Sequence, residues 1–184
     1  MQDRRLEKAT LAGGCFWCIE TVFRRIRGVV SVVSGYSGGS IKNPKDSDIY
    51  SGKTGHAEAI QITFDPSVIS FERLLYIFWH MHNPTTLNKQ GADIGTQYRS
   101  VIFYHSDEQK KAAFDSKRKI EKEGIYEDPI VTEIIPFKNF YPAPSYHQNF
   151  YEKNSYQPYC SIVIDPKIRQ LVEKFAKDMK DEYR

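Results

Sequence analysis

One junction constrains this chain more than any other: Gly13-Gly14-Cys15-Phe16-Trp17-Cys18. A short apolar stretch at residues 10–12 runs into the two glycines. Residues 15–26 then carry apolar side chains at Phe16, Ile19, Val22, Phe23 and Ile26, the spacing of one helix face, and Gly28 follows where a helix should stop. The reading is a strand that turns sharply and opens a helix with a cysteine. Two glycines allow the tight turn and leave access to the sulfur. The free amides and dipole of a helix N-terminus favour an anion, so the sequence predicts a lowered pKa for the Cys15 thiol. Cys18 falls within the first turn, where it serves either packing or a C-x-x-C redox pair.

The remaining periodicity alternates strand and helix. Residues 29–36 are β-branched and read as a strand; 37–54 are rich in Gly, Ser, Asn, Asp and Pro and read as a long loop. Residues 57–64 alternate as a strand. Ser70 is set to cap a helix bearing Phe71, Leu74, Leu75, Phe78 and Trp79. A second long loop at 83–97 precedes a strand at 100–104. Ser106 with Gln109 forms a capping box for a helix running to Gly124, and a strand follows at 130–135. Residues 137–159 are aromatic and irregular, with a helical turn or two near His147. Asp165-Pro166 starts a last helix with Leu171, Val172, Phe175 and Met179 on one side, and residues 174–184 read as a solvated face and a frayed tail.

The order β-α-β, β-α-β, β predicts an α+β fold, a sheet with a ferredoxin-like split βαβ core and long irregular loops. A doubly wound parallel sheet is the alternative. A chain of 184 residues fits one domain spanning 1–184, with the irregular segment and terminal helix from about 137.

Composition excludes several classes. Lys and Arg number 26 against 23 Asp and Glu, a net +3 too small and too evenly spread for nucleic acid. No apolar run approaches the length of a membrane span, and the first ten residues lack a signal-peptide core, so a cytoplasmic protein is expected. Three cysteines is an odd and small number for a disulfide framework. Cys15, Cys18 and Cys160 are therefore expected reduced, with any disulfide transient. A zinc site completed by His80, His82 or His105 is the weaker reading of the C-x-x-C, since no second close cysteine pair exists. No cofactor or metal is expected. No apolar stripe is left unassigned, which predicts a monomer.

Other polar residues point to chemistry. Glu58, in Gly55-His56-Ala57-Glu58, either begins its strand at the solvated end or shares a strand face with Ile60 and Ile62, where a carboxyl is desolvated, keeps its proton and can act as a general acid. Tyr36, in Gly35-Tyr36-Ser37-Gly38-Gly39, and Tyr98, in Thr96-Gln97-Tyr98-Arg99-Ser100, sit at loop–strand junctions where a phenol can face a site.

Taken together, these motifs, with residues 65–70 (DPSVIS) and Tyr146-His147-Gln148, resemble the peptide-methionine sulfoxide reductase A family over residues 11–160. The resemblance implies a two-layer α/β sandwich and reduction of methionine S-sulfoxide, free or in proteins, to methionine. It implies Cys15 as the nucleophile, Glu58 as the acid, and Tyr36 and Tyr98 as hydrogen-bonding phenols at the sulfoxide oxygen. Phe16 and Trp17 would accept the S-methyl group, and Asp93 would help hold the substrate, although Ala92 stands where the family often has Asn. Cys160 falls near a family resolving cysteine, with Pro158 in place of a glycine; Cys18 is the alternative resolver. Thioredoxin would reduce the resulting disulfide. Two competing readings are a general dithiol–disulfide oxidoreductase using Cys15 and Cys18, and a non-catalytic methionine-binding domain.

Overall fold

The computed structural model describes residues 5–184. The chain runs β1 (Glu7–Ala12), α1 (Phe16–Arg24), β2 (Val29–Ser37), α2 (Asp46–Tyr50), β3 (Ala57–Phe64) and α3 (Phe71–Met81). It continues through β4 (Lys89–Gln90), β5 (Asp93–Ile94), β6 (Val101–Tyr104), α4 (Asp107–Glu123), β7 (Glu133–Pro136), β8 (Tyr141–Pro142), α5 (Phe150–Asn154) and α6 (Asp165–Phe175). The main sheet has the order β7-β6-β1-β3-β2-β8. β1 is antiparallel to β3 and β6, and β2 is antiparallel to β3. β1 and β2 are thus parallel with β3 inserted between them, and α1 makes the crossover. β3 and β6 are likewise parallel around β1, with α3 crossing. This is the split βαβ order expected from the sequence, and it excludes a doubly wound parallel sheet. β7 extends the sheet parallel to β6, and β8 covers the edge of β2.

The alternation in β3 sorts its side chains. Ile60, Ile62 and Phe64 join the main core with Phe16, Ile19, Val22 and Phe23 of α1 and Leu74, Leu75 and Phe78 of α3. Ala57 and Ala59 face the other way, against Val101 and Phe103, under Phe137 and Phe140. That side is thin, and at Gly35 a Cβ would stand 2.5 Å from the Phe140 ring and from Tyr141 O. Ser70 caps α3, its Oγ accepting from Arg73 N–H at 3.0 Å. Ser106 caps α4 and Gly124 ends it in the left-handed region at φ +67°. The capping box is displaced by one residue: Gln109 Oε1 accepts from His105 N–H at 2.9 Å, not from Ser106.

Other sequence expectations need correction. The loop at 37–54 contains the helical turn α2, and the loop at 83–97 contains the paired strands β4 and β5. The strand expected at 130–135 begins at Glu133, because Val131 N–H donates instead to Pro84 O at 2.9 Å. Val172 is 37% exposed, off the buried face of Leu171 and Phe175. The C-terminus is packed and not frayed. Met179 is buried and bridges Ile26, Lys180 N–H donates to Arg25 O, and the Arg25 guanidinium lies 4.5 Å from the Tyr183 ring centroid.

Ile60 is fully buried between β1, β2 and the helical layer. Ile60→Ala is expected to destabilise the fold by about 2–5 kcal/mol through lost burial and a residual cavity. Urea unfolding with an unchanged m-value would read this; a loss below about 1 kcal/mol would mean the layer collapses into the gap.

Candidate active site

Cys15 is the residue before α1, with φ −58° and ψ 127°, at the point where β1 has ended and Gly13-Gly14 has turned the chain. Gly14 is left-handed at φ +88°, and a Cβ there would fall 2.6 Å from Gln90 Cγ. Only glycine fits that turn without moving the ribbon that carries Asp93. Cys18 lies one turn in; its N–H donates to Cys15 O at 3.1 Å, and the two thiols line one cavity.

The sheet register brings the next groups together. Tyr36 and Glu58 are direct cross-strand partners, so their side chains leave the sheet side by side toward the start of α1. Glu58 is 4% exposed, and its Oε1 accepts from Phe16 N–H at 3.1 Å. Burial pushes its pKa up to about 8 against the lowering effect of that N–H. Glu58 therefore carries a proton at neutral pH. Its other oxygen has no hydrogen-bond partner among the described residues, so the proton belongs on Oε2.

The thiols correct an expectation. The helix N-terminus does not lower the Cys15 pKa; burial raises it well above the usual thiol value, aided by the Cys18 hydrogen bond and the nearby Glu58. The Trp17 N–H opposes this and loses, because desolvation of a buried anion outweighs one backbone amide. Cys18 is instead lowered to about 7, first by the hydrogen bond from Cys15 and further by the Lys167 ammonium.

Tyr98 is half-buried at the end of a 3-10 turn, 96–98, and Glu58, Asp93 and Cys15 all act on its phenol. Arg99 anchors that turn by donating to Gly55 O at 2.8 Å and Thr96 O at 3.0 Å. Asp93 accepts from Tyr159 O–H at 2.8 Å, and Tyr159 Oη is 3.5 Å from Cys18 Sγ. A cavity of about 130 Å³ is lined by Cys15, Cys18, Asp93, Tyr159 and Lys167. Cys160 does not line it; its side chain is fully buried in a π-helical turn, 160–164.

Phe16 packs on Tyr36 with ring centroids 5.6 Å apart, and Trp17 stacks on Phe150 at 3.6 Å. The structure adds further neighbours of the site. Asp46 receives Tyr36 O–H at 2.6 Å, and Tyr50 lies near Glu58 and Cys15. His56 holds the glycine loop: its Nδ1 accepts from Gly39 N–H and its Nε2–H donates to Ile41 O. His147 bonds Trp17 and Asp46. His56 and His147 lie within motifs already singled out, and Tyr159 directly precedes Cys160; nothing in the sequence pattern marked Asp46 or Tyr50.

The family model described as peptide methionine sulfoxide reductase matches residues 7–180. The chain belongs to that family. It is 51% identical over 175 residues to the Saccharolobus solfataricus protein named peptide methionine sulfoxide reductase MsrA, covering 95% of this chain and 98% of that one. Among solved structures it is similar to Mxr1 from Saccharomyces cerevisiae in reduced form, with TM-score 0.78 and 35% identity, covering 86% of this chain and 91% of that one. It is also similar to Mxr1 in complex with Trx2, with TM-score 0.56 and 28% identity over 81% of this chain and 87% of that one. Thiol-dependent reduction of methionine sulfoxide is the chemistry of the chain, and a general dithiol oxidoreductase is not favoured. Among the described residues, no helix is long and apolar enough to cross a membrane.

The acid has a thermodynamic signature. Folded Glu58 keeps its proton to about pH 8, against an ordinary value of 4.5 in the unfolded chain. Between those values the unfolded state binds fewer protons, so this residue lowers stability as pH rises, by up to about 1.4 kcal/mol per pH unit. Glu58→Gln removes that slope. Urea unfolding between about pH 5 and pH 8 should show the variant gaining steadily on the wild type; a constant difference would mean that Glu58 is ionised throughout.

Proposed function

We propose that the chain reduces methionine S-sulfoxide, free or in oxidised proteins, with Cys15 as nucleophile and Glu58 as general acid. One observation carries the reading: the buried Glu58 carboxyl, whose burial favours its protonated form, accepts from the backbone N–H of the residue beside the thiol. A sulfoxide sulfur is a weak electrophile until its oxygen takes a proton, and Oε2 of Glu58 has one to give. Cys15 passes its own proton to Cys18, and its thiolate attacks the sulfur. The Glu58 proton goes to the sulfoxide oxygen, the S–O bond breaks, and the hydroxyl ends on Cys15 as sulfenic acid. Methionine leaves, its sulfur reduced by two electrons.

The Cys18 sulfur then attacks Cys15, expelling the hydroxyl as water with the Cys18 proton, and Glu58 regains a proton from solvent. Cys18 lies one turn from Cys15 and lines the same cavity, which Cys160 does not, and this favours Cys18 over Cys160 for the first disulfide. A thioredoxin dithiol returns two electrons and two protons, a role that the Mxr1–Trx2 complex supports. Phe16 and Trp17 present an apolar wall to the S-methyl group, Asp93 helps hold the substrate, and Tyr36 and Tyr98 serve the oxygen. Residues 1–184 act as one catalytic unit, and the three free cysteines suit a reducing compartment such as the cytoplasm.

Glu58→Gln is expected to slow single-turnover reduction of the S epimer by about 100-fold or more. Exchange of the cysteine pair with small disulfides should be spared, since it needs no acid at an oxygen. A wild-type rate in the variant would remove Glu58 from the mechanism.

Thiol counting by mass spectrometry names the resolver. After one turnover, Cys18→Ser should stop at Cys15 sulfenic acid while Cys160→Ser loses two thiols. The opposite pattern would assign resolution to Cys160.

A further inference from the structure

The two phenols assigned to the sulfoxide oxygen, Tyr36 and Tyr98, are not equivalent, because of these two only Tyr98 has an uncommitted proton. Tyr36 O–H donates to Asp46 Oδ1 at 2.6 Å. The other carboxylate oxygen, Oδ2, is 3.0 Å from His147 Nε2. An indole N–H can only donate, so Trp17 Nε1–H, 3.1 Å from His147 Nδ1, makes that nitrogen the acceptor. The imidazole proton therefore sits on Nε2 and points at Asp46. A circuit runs from Trp17 through His147 to Asp46, and meets there the donation from Tyr36. Its members are shielded: Tyr36 and His147 are buried, and the Asp46 side chain is 15% exposed. Tyr98 Oη, by contrast, has no hydrogen-bond partner among the described residues, while Glu58 and Cys15 act on it.

We propose that Asp46 is a positioning residue that divides the work of the two phenols. By holding the Tyr36 proton, it leaves Tyr98 as the phenol that donates to the sulfoxide oxygen. Tyr36 then offers a lone pair, which accepts the new O–H once Glu58 has protonated that oxygen. The circuit also ties this orientation to Trp17, so the wall for the S-methyl group and the contact for the oxygen are set by one network. Asp46 does not touch the substrate; it acts through Tyr36. The inference rests on the reductase reading above.

Two measurements on the intact chain test it. Nitrogen-15 NMR of the resting protein should find His147 as the Nε2–H tautomer, and Asp46→Asn should perturb that signal in a protein that remains folded. In steady state with the S epimer, Asp46→Asn should lower kcat about 10- to 100-fold, the scale of a lost hydrogen bond to a charged group, with a much smaller change in KM. The same substitution in a Tyr36→Phe background should cost less than about twofold, because the hydroxyl it acts through is gone. In a Tyr98→Phe background the full loss should persist. Equal losses in both backgrounds would reduce Asp46 to a structural residue, and an Nδ1–H tautomer would break the circuit; either overturns the proposal. A wild type that turns over with such an additive cycle sinks only the Asp46 assignment. A wild type that reduces neither epimer sinks the reductase reading, and this inference with it.

Discussion

The site depends on one contact: the buried Glu58 carboxyl against the first backbone N–H of α1. It joins the centre of the sheet to the turn that carries the thiol. For the contact to exist, β2 and β3 must pair with Tyr36 opposite Glu58, and β1 must end where Gly13-Gly14 can deliver Cys15 above them. A one-residue slip of β3 would send Glu58 to the face of Ala57 and Ala59 and bring an alanine beneath the thiol. The apolar alternation of Ile60, Ile62 and Phe64 against the helices prevents that slip. Ordinary core packing thus sets the position of the acid.

Burial also sets the protonation of the site, and it does so against the helix dipole. Glu58 and Cys15 each lie beside a backbone N–H that favours an anion, yet both are pushed toward the neutral form. The Cys18 pKa is instead lowered, by its neighbour Cys15 and by Lys167. In the proposed mechanism Glu58 supplies the acid proton and Cys18 takes the proton of the Cys15 thiol.

The irregular segment after β7 completes what the sheet begins. Gln148 substitutes for a strand at the open edge of β2: it accepts from Ser34 N–H and donates to Ser34 O at 2.9 and 2.8 Å. Buried Glu20 of α1 receives Asn149 N–H, Ser34 Oγ–H and the Arg24 guanidinium together, clamping helix, strand and segment. Phe150 and His147 are thereby held against Trp17. A stretch of the chain with little regular structure gains its order from side chains that imitate backbone partners.

The sequence by itself determined the split βαβ frame, since the alternation in β3, the caps at Ser70 and Ser106 and the glycine stop at Gly124 are local signals that agree with the tertiary result. It also marked Cys15, Glu58, Tyr36 and Tyr98, because each sits at an element boundary or breaks an apolar face. Short elements such as α2 and the β4–β5 ribbon were illegible: five or two residues carry too little periodicity to outweigh their turn composition. Only the tertiary structure decided the thiol's protonation and the proximity of Cys18, Lys167 and Tyr159. It alone assembled the circuit of Asp46, His147 and Trp17, whose members lie up to 130 residues apart in the chain. Desolvation and long-range hydrogen bonds depend on what surrounds a group in space, and no spacing along the chain encodes that.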